Sequence, residues 1–125
     1  MDNANLIEPT IVDAHTHIFS LDSTRYPLAD PKSSYRPITD GRAEVLRAQM
    51  DEANVDRAVT ISPWFYGWDI RYTLDVLQEQ SSWLAVVALV DSVSPDGPKR
   101  LEEYVRDFGV CGLRIQGQIS RLGAF

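Results

Sequence analysis

The stretch Thr10–Phe19, TIVDAHTHIF, decides the fold, because it has the pattern of a short β-strand that ends in two histidines. Side chains alternate between the two faces of a strand, so Asp13, His15 and His17 are predicted to share one face. These are the only two histidines among the 125 residues. The His-x-His pair therefore predicts a metal or catalytic site, and the alternative is a pair of polar strand-end residues bonded to the backbone.

Outward from this strand, the apolar pattern alternates between strand and helix. Strands are predicted at 10–15, 57–62, 84–90 and 110–115, and helices at about 40–53, 69–80 and 97–107. The third strand is almost continuously apolar, which predicts burial on both faces. We expect Thr39 or Asp40 to cap the first helix. The inward stripe of the third helix is predicted to be Leu101, Tyr104, Val105 and Phe108.

This order of elements, without hairpin signals, predicts an α/β fold of parallel βαβ units with right-handed crossovers. Two architectures fit it, an open doubly wound sheet and the first half of a (β/α)8 TIM-like barrel. A full barrel needs about 250 residues. Four strands in 125 residues are half of one, so 1–125 is predicted to be one partial barrel domain that lacks the later strands.

Composition narrows the class of protein. The net charge of −6 offers no basic surface for nucleic acid, and no run of eighteen apolar residues could span a membrane. Residues 1–9 lack the pattern of a signal peptide. The single cysteine, Cys111, excludes an internal disulfide and fits a reducing compartment. We therefore expect a cytoplasmic protein with no nucleic-acid or membrane partner.

Two loops are candidates for binding. Residues 20–39 form a long polar connection, and loops of this length in compact domains are often functional. The loop after the second predicted strand is rich in aromatic residues, which form either a substrate wall or loop packing. These residues are Trp64, Phe65, Tyr66 and Trp68.

Several segments resemble the amidohydrolase superfamily. Val12–Phe19 resembles its first-strand signature, and later segments resemble the branch that contains 2-pyrone-4,6-dicarboxylate lactonase and related sugar lactonases. The later segments are Tyr26-Pro27, Tyr35–Pro37, Phe65–Tyr72, Leu74-Asp75, Val86–Asp91 and Gly109–Arg114. The resemblance thus follows nearly the whole chain in order.

The resemblance implies a hydrolase on a (β/α)8 barrel. His15 and His17 would bind a divalent metal, zinc or manganese, or line its former place, and water activated nearby would attack a lactone or amide carbonyl. Arg114 would hold a substrate carboxylate as a bidentate fork, with Tyr35 donating to the same kind of anion. Arg121 is a candidate for a second anion contact.

The family also takes metal ligands and an aspartate base from later strands, which these 125 residues lack. The site is therefore expected to be incomplete, and this chain alone inactive. The expected partners are a small-molecule carboxylate and, for the open sheet, either a second copy or the remainder of the barrel. Two alternatives stay open, namely a small non-enzymatic α/β binding module and a decarboxylase of the same superfamily.

Overall fold

Four parallel strands form one sheet in the sequential order β1-β2-β3-β4, with helices between them. The computed structural model describes residues 10–116. The elements are β1 (Val12–Thr16), α1 (Ala43–Glu52), β2 (Arg57–Ile61), α2 (Arg71–Gln80), β3 (Leu84–Leu89), α3 (Gly97–Glu103) and β4 (Gly112–Arg114). The predicted alternation of strands and helices and the parallel pairing are confirmed.

The two faces of the sheet differ in burial. One face, called here the helix face, is fully buried and consists of Ala58, Thr60, Leu84, Val86 and Ala88. The other, called the open face, is half-buried and consists of Val59, Ile61, Ala85 and Val87. The register pairs Ala58 with Leu84 and Val59 with Ala85, so each set lines up across neighbouring strands. The prediction that β3 is buried on both faces is met only in part, because Ala85 and Val87 are half-buried among the described residues, whereas Leu89 at the end of the strand is buried.

The helix face holds the core. From α2, the side chains of Leu74, Val76 and Leu77 are buried against the sheet, and α1 contributes Ala43 and Met50. Removing a large aliphatic side chain from water contributes about 1.5–3 kcal/mol. The amphipathic helices are therefore fixed on one side of the sheet, and the polar and half-buried open face stays on the other.

Two details of the helices differ from the sequence prediction. Neither Thr39 nor Asp40 caps α1, which begins at Ala43, because the carboxylate of Asp40 instead binds the backbone N–H and the guanidinium of Arg42. After α3 the chain makes one π-helical turn, Tyr104–Phe108. A π-turn holds more residues than an α-turn and rotates the side chains that follow it.

The inward stripe predicted for the third helix is consequently wrong at two of its four positions. Val105 is 50% exposed and Phe108 is 37% exposed, whereas Leu101 and Tyr104 are partly buried. Both exposed side chains lie in the π-helical turn. The turn therefore leaves an apolar edge on the side of the molecule next to β4.

The long connection between β1 and α1 is held to the second half of the structure. The Tyr26 hydroxyl donates to a carboxylate oxygen of Asp75 at 2.6 Å, and the Ala29 N–H donates to the Phe65 carbonyl at 3.0 Å. The Tyr26 ring also packs edge-on against Tyr72 at 5.0 Å. Burial and the hydrogen bond to Asp75 raise the pKa of Tyr26 from 10.0 to about 12. The loop after β1 is therefore anchored at several points along α2 and the turn before it.

The Tyr26–Asp75 hydrogen bond predicts a pH-dependent contribution to stability. A raised folded-state pKa stabilises the fold below the unfolded value of 10.0, and the contribution is lost as the pH rises toward about 12. We expect Tyr26→Phe to lower the free energy of unfolding by about 1 kcal/mol at neutral pH, because the Asp75 side chain is 48% exposed and water screens the bond. Urea unfolding of both proteins from neutral to strongly alkaline pH measures this difference. A difference that stays constant through the alkaline range contradicts the assignment.

Candidate functional site

A β-bulge in β1 sets the direction of the two histidines. The register pairs Asp13 with Ala58 but Thr16 with Thr60, so three residue steps on β1 correspond to two on β2. Past the bulge, Thr16 and Ile18 are buried and His15 and His17 are exposed. The two imidazoles therefore share the open side of the sheet, as the sequence predicts, and their ring centroids are 5.1 Å apart.

Asp13 does not share that face, because its register partner Ala58 belongs to the helix face. Its carboxylate instead accepts the backbone N–H of His15 at 3.1 Å. Two threonine hydroxyls bind carbonyls across the same junction: Thr16 donates to Val59 at 3.0 Å and Thr60 donates to Thr16 at 3.3 Å. Side chains thus replace ladder hydrogen bonds that a bulge disrupts. The role of Asp13 is to satisfy the bulged backbone.

His17 has a defined ring orientation. Its Nδ1 lies 2.8 Å from the carbonyl oxygen of Ile61, the last residue of β2. A carbonyl can only accept, so Nδ1 carries the proton, and in the neutral imidazole Nε2 keeps a free lone pair. Metal-binding histidines commonly have this arrangement, with one ring nitrogen donating to a backbone carbonyl. The ring of His15 makes no hydrogen bond within residues 10–116, so backbone bonding accounts for one histidine of the pair and not for both.

Arg114 lies at the carboxyl end of its strand, as the two histidines do, and its register places it on the same side of the sheet. It ends β4, two residues after Gly112, whose register partner is the open-face residue Val87. The side chain is half-buried and, among the described residues, forms no ion pair with a carboxylate. Three strand spacings of about 4.8 Å separate β1 from β4, or roughly 14 Å in a flat sheet. A small molecule can bridge the histidines and the guanidinium.

The other two predicted anion contacts are placed differently. Tyr35 is 61% exposed in the long loop, and its ring packs edge-on against Phe65 at 6.0 Å. No contact within the described residues brings Tyr35 to the histidines or to Arg114. Arg121 lies outside the described residues. The structure therefore places His15, His17 and Arg114 at the carboxyl ends of the strands. Tyr35 lies in the long loop, against Phe65.

Most of the aromatic loop is packing. Tyr66 is only 5% exposed, and Phe65 stacks edge-on with Phe19 at 5.4 Å. Trp64 and Trp68 meet at 5.1 Å and pack against the core cluster under α2. Of the two readings left open by the sequence, these contacts favour loop packing.

The described residues bring together two imidazoles and no third side chain of a kind that binds metal. Among residues 10–116 no group of three or more His, Cys, Asp or Glu side chains could hold a metal ion. A groove of about 650 Å³ between α2 and α3 includes Asp91, Arg100 and Glu103, but none of the predicted site residues. The reason is geometric, since an open four-stranded sheet encloses no space above its strand ends.

The sequence placed Tyr66 in the aromatic loop but did not predict its contact with Ser20. Its hydroxyl accepts the Ser20 N–H and donates to the Ser20 carbonyl, both at 2.9 Å. This double contact joins the loop after β1 to the turn after β2. The two residues are 46 positions apart in the sequence, so only the pairing of β1 with β2 shows that they meet.

A family model for amidohydrolases matches residues 12–123. The chain belongs to the amidohydrolase family. This match, which includes the strand with His15 and His17, confirms the family resemblance and selects the barrel over the open doubly wound sheet. No curated protein matches the chain significantly.

Two solved structures share the fold of this amidohydrolase chain. One is a probable 2-pyrone-4,6-dicarboxylic acid hydrolase from Acinetobacter baumannii with citric acid bound, at a TM-score of 0.68 and 21% identity. The other is an Agrobacterium tumefaciens protein in its apo structure, at a TM-score of 0.64 and 22% identity. Each alignment covers 86% of this chain and only 38% of the other chain. The described sheet is therefore the N-terminal part of a TIM-type barrel.

Proposed function

We propose that this chain supplies the first half of an amidohydrolase active site that hydrolyses a carboxylate-bearing lactone. The observation that carries the proposal is the pair of exposed imidazoles at the carboxyl end of β1, one of them oriented by the Ile61 carbonyl, on the same side of the sheet as Arg114. Active sites of (β/α)8 barrels lie at the carboxyl ends of the strands. The citric acid bound to one structural relative supports a carboxylate-binding site.

His15 and His17 fit a divalent metal, because imidazole nitrogens are common zinc ligands and the His17 hydrogen bond through Nδ1 leaves Nε2 free. Zinc or manganese are the proposed ions. When bound, such an ion would supply Lewis-acid activation of water near the substrate carbonyl. Arg114 holds the substrate carboxylate, and Tyr35 and Arg121 are proposed as further anion contacts. A decarboxylase of the same superfamily would use the same binding groups, so it is the second candidate.

The remaining ligands and the general base would come from further βα units. A catalytic zinc usually has three protein ligands, and this sequence has two histidines. We infer that 1–125 is a partial domain, inactive by itself, whose open face is covered either by the rest of the barrel or by a second copy. No helix within residues 10–116 is long and apolar enough to cross a membrane. The single Cys111 supports our proposal of a cytoplasmic location.

Activity is tested on the polypeptide that contains the later βα units. We expect hydrolysis of a carboxylate-bearing lactone, and we expect Arg114→Lys to raise KM about 10- to 100-fold, because a lysine loses the bidentate contact. Arg106→Lys is the matched control, since Arg106 pairs only with exposed Asp107 on the π-helical turn. Product assays for the ring-opened acid and for carbon dioxide separate hydrolysis from decarboxylation. Carbon dioxide release without ring opening rejects the lactonase proposal.

Metal binding by the 125-residue chain is measured by titration with zinc or manganese. We expect weak binding, because two ligands leave the coordination shell incomplete, and we expect His15→Ala or His17→Ala to abolish it. Binding that survives both substitutions, or no binding at all, contradicts the metal role in this chain.

Self-association of the isolated chain follows from its open face and its two unpaired edge strands. Exposed apolar side chains lie at both edge strands: Ile11 and Val12 at the start of β1, and Ile115 directly after β4. Strand edges of this kind pair readily with another chain. We expect sedimentation velocity to show dimers or larger species that grow with concentration. A monodisperse monomer that unfolds cooperatively contradicts the partial-barrel proposal.

A further inference from the structure

We infer that Tyr66 is a positioning residue for His17, acting through Ser20. The inference rests on the proposed function in one respect, namely that His17 is a metal ligand. Tyr66 lies in the 3₁₀ turn Trp64–Tyr66 that follows β2, and its side chain is almost fully buried. It touches neither imidazole, so any effect on His17 has to pass through the backbone of the segment that begins with His17.

That segment, residues 17–20, is held to the β2 side of the structure at both ends. At its start, the His17 ring donates to the Ile61 carbonyl. At its end, the Ser20 backbone is bound through both its N–H and its carbonyl by the one hydroxyl of Tyr66. Ile61 ends β2, and Tyr66 lies five positions later at the end of the 3₁₀ turn. The residues at and after the end of β2 therefore bind the segment after β1 at two points, His17 and Ser20.

The middle of the segment is tightly packed, so a shift of Ser20 is transmitted toward His17 and is not absorbed. Ile18 is completely buried. The Phe19 N–H donates to the Gly41 carbonyl at 2.9 Å, and the Phe19 ring lies so close to Gly41 that a Cβ there would be 2.2 Å from it. Because each of these four consecutive residues is held by a contact or by burial, the segment has few alternative backbone conformations in which to present the His17 imidazole. The only one of these anchors provided by a removable side-chain hydroxyl is that of Tyr66.

We call the two contacts of this segment with the β2 side, His17 with Ile61 and Ser20 with Tyr66, the clamp. The β2 side of the clamp is itself restrained. Ser62 donates its N–H to the Val87 carbonyl at 3.1 Å, which continues the sheet one residue beyond β2. Pro63 then restricts the backbone before the 3₁₀ turn. The connection from Ile61 to Tyr66 is thus restrained at Ser62 and Pro63. Loss of its hydroxyl frees the Ser20 end and lets the His17 ring leave Nδ1–H···O geometry.

The test compares Tyr66→Phe with Tyr72→Phe in the intact polypeptide. Tyr72 is the matched control, because it is also buried and its hydroxyl also binds a backbone N–H, that of Ala43 at 3.3 Å, away from the histidines. The first readout is the ¹⁵N NMR spectrum of the His17 ring at a pH above the usual histidine range, with His17→Gln identifying its signals. The second is the affinity for zinc, and the third is urea stability.

For Tyr66→Phe we expect a mixture of His17 tautomers in place of Nδ1–H alone, and a loss of zinc affinity of about tenfold or more, as for other partners that orient ligands. Tyr72→Phe should lower stability and leave both histidine readouts unchanged. If Tyr66→Phe lowers stability but leaves the His17 tautomer and the zinc affinity unchanged, as Tyr72→Phe is expected to do, the positioning role is rejected. If the tautomers mix but wild-type protein binds no zinc, the clamp is supported and the metal proposal fails.

Discussion

The β-bulge between Asp13 and Thr16 is the constraint on which the site depends. Without the extra residue, the regular alternation of β1 would place Thr16 and His17 one register step away from their observed positions relative to β2. Thr16 and Ile18 would then face outward and both histidines would face the helices. The bulge costs ladder hydrogen bonds, and the Asp13 carboxylate and two threonine hydroxyls replace them. Asp13 therefore supports the backbone that carries the two histidines, although it does not share their face of the sheet.

Burial on the helix face and openness on the other face have a single cause. Each crossover puts its helix on the same side of the sheet, so alternate residues of β2 and β3 are sealed under α1 and α2. The same alternation delivers Val59, Ile61 and Val87 to the open face, where a closed barrel would bury them. These apolar residues are only half-buried among the described residues, and the chain covers 38% of each structural relative.

Periodicity predicted the strands, the parallel order and the shared direction of His15 and His17. It could not predict features that depend on where two distant strands meet. Predicting that Asp13 lies on the other face requires the register between β1 and β2. Predicting that Val105 and Phe108 are exposed requires knowledge of the π-helical turn. The hydrogen bond from His17 to Ile61 and the contact of Tyr66 with Ser20 join residues more than forty positions apart. Local patterns contain no information on such pairs.

The arrangement also explains how half of a site can be well ordered before the other half is present. The His17 ring is oriented by a backbone carbonyl of β2, and the adjoining segment is bound to Tyr66 and Gly41, all within residues 10–116. The contacts that orient the His17 ring therefore all lie within the described residues. What the later strands would add is the third ligand, the base and the exclusion of water, which are the terms that turn ordered donors into a catalytic centre. Under the proposed function, the described residues therefore account for the positioning of His17, and the chemistry would need groups from further βα units.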